Sequence, residues 1–236
     1  MRCSVIIVAA GSGTRLGMDT PKAFVQLAGR SLLYYSLRAV AALHANDEEV
    51  VTVEAVVTVP AGREKRARAE VERARVEIPV KLVPGGAERQ DSVRIALGIT
   101  SAESEVVVVH DAARPFATPA LFTACIEATA HADGAIAAVA VADTLKRVEE
   151  GRTIAATVAR AGLWQAQTPQ AFRRERLIAA HERAFSERWA ATDDAELVER
   201  CGGRVEVVEG SAANLKITTP ADLEIAKALA ARSSAG

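Results

Sequence analysis

Short apolar runs alternate with amphipathic stretches over most of the chain. Val5 to Ala9 is continuously apolar and ends in a glycine-rich turn; Val50 to Val59 is rich in β-branched residues and stops at Pro60. Val80 to Val83 is shorter, Glu105 to His110 holds four consecutive valines, and Ala135 to Val141 repeats the theme. Runs of this length and composition predict buried strands. Between them Ser31 to Leu43, Arg63 to Glu77, Gln90 to Leu97 and Pro119 to Ala132 read as helices. The second of these is so heavily charged that it reads as a solvated outer face. Strands separated by helices predict an α/β fold with a doubly wound, mainly parallel sheet covered on both sides. Such sheets bind ligands outside the carboxyl ends of their strands, so residues that directly follow strands carry the most information.

One stretch breaks the pattern. Thr144 to Thr157 holds two short β-like runs around Glu149-Glu150-Gly151-Arg152. Glycine there supplies positive φ for a turn, which predicts a protruding β-arm over about 142–160. The plain reading is a surface hairpin; the sharper one is dimerisation, since a two-stranded hairpin is marginal alone in water. The rest of 1–232 reads as one domain, with 233–236 a frayed tail.

Composition narrows the class of protein. Half of the 236 residues are apolar and a quarter are charged, enough to bury a core. The net charge of −1 provides no global field for nucleic acid, and none is expected as a partner. Cys3, Cys125 and Cys201 are far apart and odd in number, which argues against a disulfide framework or a zinc site. The N-terminal apolar run is too short to span a membrane and lacks a signal-peptide pattern. A cytoplasmic protein with no membrane association is expected.

Candidate chemistry follows the strands. After the first comes Ala10-Gly11-Ser12-Gly13-Thr14-Arg15-Leu16-Gly17, then Pro21-Lys22. Small residues let successive N–H groups surround a phosphate. A Walker A loop would need Lys-Ser or Lys-Thr directly after the last glycine, which is missing. A dinucleotide fingerprint fails on its last interval, and Val59-Pro60 stands where its acidic residue belongs. The nucleotidyltransferase signature G-x-G-T-R-[LM]-G followed by Pro-Lys matches in full. In that reading Arg15 and Lys22 meet a triphosphate, arginine gripping two oxygens and lysine acting as a compact charge.

Pro84 to Ser92 follows the Val80 run and opens a helix. Gly85 and Gly86 could bring backbone groups to a base edge, and Arg89 and Ser92 can donate to a base or phosphate; a tight turn with a capped helix is the plainer alternative. His110-Asp111-Ala112-Ala113-Arg114 follows the four valines. Asp111, at a strand's carboxyl end, is well placed to hold Mg²⁺ beside phosphates, and Arg114 can bind a second anion. His110 reads as a buried structural histidine, because an ionised phosphate nucleophile has no proton to remove. Thr192-Asp193-Asp194-Ala195 could suggest a metal pair, but Thr192 before a helical run reads as an N-cap with acids in the first turn. Lys216 is expected in a strand that precedes the final helix at Thr219-Pro220.

Taken together, AAGSGTRLG, PKAF, GGAERQDSV, HDAARPF, DTLKRV, LWQAQTPQAF, TDDAELVE and NLKITTPADLEIA resemble, in order and spacing, the cytidylyltransferase family of the methylerythritol phosphate isoprenoid pathway. The resemblance runs from Val5 to Ala226. It implies a Rossmann-like nucleotidyltransferase fold, a homodimer, a divalent cation such as Mg²⁺, and cytidylyl transfer from CTP to 2-C-methyl-D-erythritol 4-phosphate, a small polyol phosphate. It implies catalytic roles for Arg15, Lys22 and Lys216. Nucleotide contacts would come from Ala10, Gly11, Gly13, Thr14, Gly85, Gly86, Arg89 and Ser92. Acceptor contacts would come from Asp111, Ala112, Arg114, Thr144, Arg160 and Thr168, some across the dimer, with Asp111 on the metal side. Relatives often carry Gln at the position of Ala23 and His at that of Tyr35.

Two rival readings share the fold. A ribitol 5-phosphate cytidylyltransferase tends to have His-Asp-Ser-Val-Arg-Pro, whereas here Ala112-Ala113 separates Asp111 from Arg114. A non-catalytic nucleotide sensor would have lost a lysine or Asp111, and all are retained.

Overall fold

The computed structural model describes residues 1–11, 13, 16–18, 20–46 and 49–233. In chain order the elements are β1 (Arg2–Val8), β2 (Gln26–Leu27), β3 (Arg30–Ser31), α1 (Leu32–Asn46), β4 (Val51–Val59), α2 (Glu64–Ala74) and β5 (Val80–Pro84). Then come α3 (Arg89–Leu97), β6 (Val106–Asp111), α4 (Pro119–Ala128), β7 (Gly134–Ala140), β8 (Leu145–Val148) and β9 (Ile154–Val158). The last part holds β10 (Trp164–Arg173), α5 (Arg174–Glu187), α6 (Asp194–Arg200), β11 (Val205–Glu209) and α7 (Pro220–Ser233).

Seven strands form the main sheet in the order β11-β7-β10-β6-β1-β4-β5. All neighbours run parallel except β10, which is antiparallel to both β6 and β7. The valine-rich strands sit at the centre because both of their faces are covered. Side chains alternate between faces with period two. Val5 and Ile7 of β1 therefore join Val57 and Val108 in one core against Leu33 and Leu37 of α1 and Phe122 and Ile126 of α4. Ile6 points the other way and joins Val56, Val107 and Val109 against Val93 of α3, Leu177 of α5 and Leu197 of α6. A third cluster docks α7, through Leu223, Ala226 and Ala230, onto Leu27, Leu32 and Ile217. The charged α2 exposes most of its surface and buries Ala67, Glu70 and Ala74; it ends where Arg75 turns left-handed, short of the expected Glu77.

Chain order reverses at β1. From β1 the chain steps through β4 to β5, then returns across the sheet to β6 on the other side of β1. This is a topological switch point, where the loops after two adjacent parallel strands diverge and leave a crevice.

Three further expectations change. Lys216 is not in a strand: 214–219 is irregular, Ile217 N donates to Ala113 O at 2.9 Å, and the Ile217 side chain packs with α7 instead of a sheet face. The cap of α6 is Asp193, whose carboxylate accepts from Glu196 N at 3.0 Å, while Thr192 donates to Glu196 through both its N–H and its hydroxyl. The fourth predicted helix ends at Ala128, four residues short of Ala132. The arm does form: β8 and β9 pair antiparallel as a separate sheet, and Gly151 takes φ +76° at the turn. All three cysteines are free thiols.

Candidate active site

A cleft of about 460 Å³ opens at the switch point. Its walls are the ends of β1 and β6, the β5–α3 turn and two lysine-bearing loops. Lys22 and Lys216 line it together with Arg89 and Asp111. Ala10, Gly11, Gly13, Gly86, Ser92 and Ala112, all expected at the site from the sequence, line it too. Arg15 and Thr14 lie outside the described residues.

The Lys22 wall depends on close packing. Lys22 starts a 3₁₀ turn whose Phe24 is buried in the core, with the Arg66 guanidinium stacked 4.6 Å from its ring centroid. Lys22 N donates to Gly11 O at 3.4 Å. Gly13 has φ +76°, and a Cβ there would stand 3.0 Å from Lys22 Cβ, so only glycine gives both the backbone angle and the room.

The opposite wall is the turn after β5. A Cβ on Gly85 would come 2.2 Å from Ala10 Cβ, so the two loops touch through that missing methyl. Ser92 Oγ accepts from Gly86 N at 3.0 Å and donates to Glu88 O at 3.1 Å, and Glu88 and Asp91 form a capping box at the start of α3. The plainer reading of this turn and the functional one therefore coexist: a tightly capped helix start forms a cleft wall.

Asp111 is the electrostatic centre. Arg89 Nε donates to its Oδ1 at 3.0 Å, and Lys216 Nζ lies 2.6 Å from its Oδ2. Burial pushes its carboxyl upward, but Arg89 and Lys216 more than offset this and hold it well below the usual carboxylate range. The second arm of Arg89 reaches Asp194, Nη1 to Oδ2 at 2.8 Å, and His181 Nε2 faces the other Asp194 oxygen at 2.9 Å. Asp194 and His181 were not identified as site residues from the sequence. An acid in the first turn of a helix has an adequate local explanation, so the sequence carries no signal of the inward role of Asp194.

Behind the cleft, Asp111 N donates to Thr168 Oγ1 at 3.0 Å, and that hydroxyl also meets His110 Nδ1 at 3.0 Å. His110 is fully buried with its ring 5.0 Å from that of Phe122, and burial lowers its pKa to about 4. It is structural, as expected. Arg114 is 9% exposed and its guanidinium donates to two main-chain carbonyls, Asn214 O at 2.7 Å and Ala166 O at 3.2 Å. It thus tethers the Lys216 loop to β10. Asn214 strengthens that tether by donating to Gln167 Oε1 and Thr168 O. Thr144 and Arg160 are exposed at the base of the arm and do not line the cleft. Of the two departures from the family pattern, Ala23 lines the cleft with a small side chain, and Tyr35 donates its hydroxyl to Leu27 O at 2.9 Å.

The donor set can be tested against a divalent cation. Among the described residues no three His, Cys, Asp or Glu side chains converge as a metal cage. Mg²⁺ at phosphates is held by one or two carboxylates, with phosphate oxygens and water completing its shell. Asp111 offers one ionised carboxylate to that chemistry, and a cation there would share it with Arg89 and Lys216, which already hold its two oxygens.

A cationic cleft of this size, at the carboxyl ends of parallel strands, can hold a polyphosphate and stabilise charge on it. The family model for 2-C-methyl-D-erythritol 4-phosphate cytidylyltransferase matches residues 3–232. The enzyme of that name from Deinococcus radiodurans is 47% identical over 97% of this chain and 89% of its own. The crystal structure of the Thermus thermophilus enzyme of that name superposes with a TM-score of 0.78 at 36% identity, over 98% of this chain and 100% of that one. A 4-diphosphocytidyl-2C-methyl-D-erythritol synthase from Anaerococcus prevotii superposes with a TM-score of 0.82 at 29% identity, over 97% and 98% of the two chains.

Proposed function

Because the chain belongs to the 2-C-methyl-D-erythritol 4-phosphate cytidylyltransferase family and is a CTP-dependent enzyme of isoprenoid precursor synthesis, we propose that it performs its transfer in the cleft between Lys22 and Lys216. The activity moves a cytidylyl group from CTP to 2-C-methyl-D-erythritol 4-phosphate, forming 4-diphosphocytidyl-2-C-methyl-D-erythritol and pyrophosphate. The observation that carries the site assignment is that lysines from the two ends of the chain line one cleft with Arg89 and Asp111.

The chemistry is a phosphate oxygen of the acceptor attacking the α-phosphorus of CTP in line with the departing pyrophosphate. Two anions must meet, so repulsion sets the barrier. Lys22 and Lys216 offset the negative charge that gathers on the five-coordinate phosphorus, and they are already in place before it forms. Arg15, by its position in the signature, binds the triphosphate. The backbone of Ala10, Gly11 and Gly13 lies along the phosphates, and the Gly85–Gly86 turn meets the cytosine and ribose. A divalent cation, bound through Asp111 and the phosphate oxygens, would neutralise triphosphate charge. No side chain has to remove a proton from the nucleophile.

The acceptor's remaining contacts come from the arm of a second copy, with Arg160 and Thr144 reaching the first copy's cleft. Support lies in the arm and its base, which expose Val148, Ile154, Leu163 and Trp164 to 51%, 59%, 37% and 45%. Apolar area of that kind usually marks an interface. No helix among the described residues is long and apolar enough to cross a membrane, and we assign the enzyme to the cytoplasm.

A pyrophosphate-release assay with each of the four nucleoside triphosphates, and with methylerythritol phosphate or ribitol 5-phosphate as acceptor, tests this function. Release is expected with CTP and methylerythritol phosphate. Turnover with ATP or GTP in place of CTP, or a preference for ribitol 5-phosphate, would overturn it.

A further inference from the structure

A line of polar contacts runs from the interior to the cleft. His181 on α5 faces Asp194 at 2.9 Å, Asp194 meets Arg89 at 2.8 Å, Arg89 meets Asp111 at 3.0 Å, and Asp111 meets Lys216 at 2.6 Å. His181 and Asp194 are buried at 1% side-chain exposure, while Lys216 at the other end is 38% exposed. We infer that Asp194, backed by His181, is a positioning residue for cytidylyl transfer: it fixes the Arg89 guanidinium so that Arg89 takes only one oxygen of Asp111 and leaves the other to Lys216.

The argument rests on the fork geometry of arginine. A guanidinium with no second partner frequently grips both oxygens of a carboxylate at once. Here the guanidinium is pinned from two sides, Nη1 by Asp194 and Nε by Asp111, and it presents one donor to Asp111. Without the Asp194 charge, Arg89 is free to turn and take Asp111 bidentately. Lys216 would then lose the partner that sets the place of its amine. Asp194 is well suited to the task. It is buried and anchored at its other oxygen by His181. Burial pushes its carboxyl upward, but Arg89 and His181 outweigh that and keep it ionised. The first residue of α6 is thereby coupled to a lysine on the last loop, although Asp194 does not line the cleft.

This inference rests on the assignment of Lys216 and Asp111 to the reaction centre, and the test separates the two. Asp194→Asn keeps the shape and removes the charge. It is expected to lower kcat by about 10- to 100-fold, the scale of a misplaced reacting group. In a Lys216→Ala background the same substitution is expected to have almost no further effect on kcat, since groups acting through one another are not additive. A merely structural role would lower kcat by the same factor in both backgrounds and overturn the inference. Normal kcat in Asp194→Asn, with Lys216→Ala strongly impaired, also overturns it and leaves the site assignment standing. Normal kcat in Lys216→Ala would instead remove the assignment beneath it. Should Asp194→Asn not fold, His181→Leu, which removes the donor behind Asp194 and leaves its charge, reads the same coupling in the same two backgrounds.

Discussion

The Lys216 amine lies 2.6 Å from Asp111 Oδ2. One residue stands in an irregular loop just before the final helix, the other at the end of a central strand. The contact holds only while Arg114 ties the loop to β10 and Ile217 N is bonded to Ala113 O. Position and charge at this contact are therefore properties of the whole switch-point region, and they lead to outcomes that can be measured.

Gly85→Ala adds a methyl where Ala10 Cβ is only 2.2 Å away. Neither loop can yield without parting the cleft wall, and overpacking of this kind costs about 1–3 kcal/mol. The expected result is a KM for CTP raised by roughly tenfold or more, with kcat less affected, because nucleotide seating is lost before chemistry. Steady-state kinetics across CTP concentrations check it. An unchanged KM would show that this turn does not seat the nucleotide.

His110 supplies a pH dependence of stability. Burial depresses its folded pKa to about 4 from the ordinary value of 6.5. The unfolded chain then binds the extra proton over that interval. Stability from the neutral ring is fully present above about 6.5 and declines as the pH falls towards 4, with a limiting slope of about 1.4 kcal/mol per pH unit. Urea unfolding midpoints should fall over this window in the native chain. His110→Asn, which keeps an acceptor for the Thr168 hydroxyl, should show a shallower decline. Parallel curves for the two proteins would contradict the reading.

The arm can be tested by charge. Val148 and Ile154 expose 51% and 59% of their surface on a two-stranded sheet that joins no other. Replacing both with aspartate is expected to convert a dimer into monomers by sedimentation, leave the melting of the main domain nearly unchanged, and raise the KM for the acceptor if Arg160 acts across the interface. A monomeric native protein with full activity would refute the role given to the arm.

How much of this was legible beforehand depended on how each segment is buried. The β1, β4 and β6 strands are apolar on both faces, so composition alone reveals them. β10 went unrecognised because Gln165, Gln167, Thr168 and Gln170 interrupt its apolar residues. Three of these polar residues are buried and bonded to Ser211 O, His110 and Asp193. Hydrogen bonds to distant partners leave no local period in the sequence. The Lys216 segment misled in the opposite way: Leu215, Ile217 and Thr218 have strand-like composition, but their apolar side chains pack in the cluster beside α7. The residues around the cleft were legible through spacing after strands. Asp194 was hidden because a helix cap is an adequate local explanation for an acid at that place, and its true partner is far away in sequence at Arg89.

The most direct measurement is pyrophosphate release at saturating CTP, Mg²⁺ and methylerythritol phosphate for the native chain, Lys22→Ala and Lys216→Ala. Losing one well-placed cation is expected to lower kcat by about 10²–10³ in each variant, with circular dichroism and melting unchanged. Near-native turnover in either would contradict the claim that these two lysines act on one phosphorus.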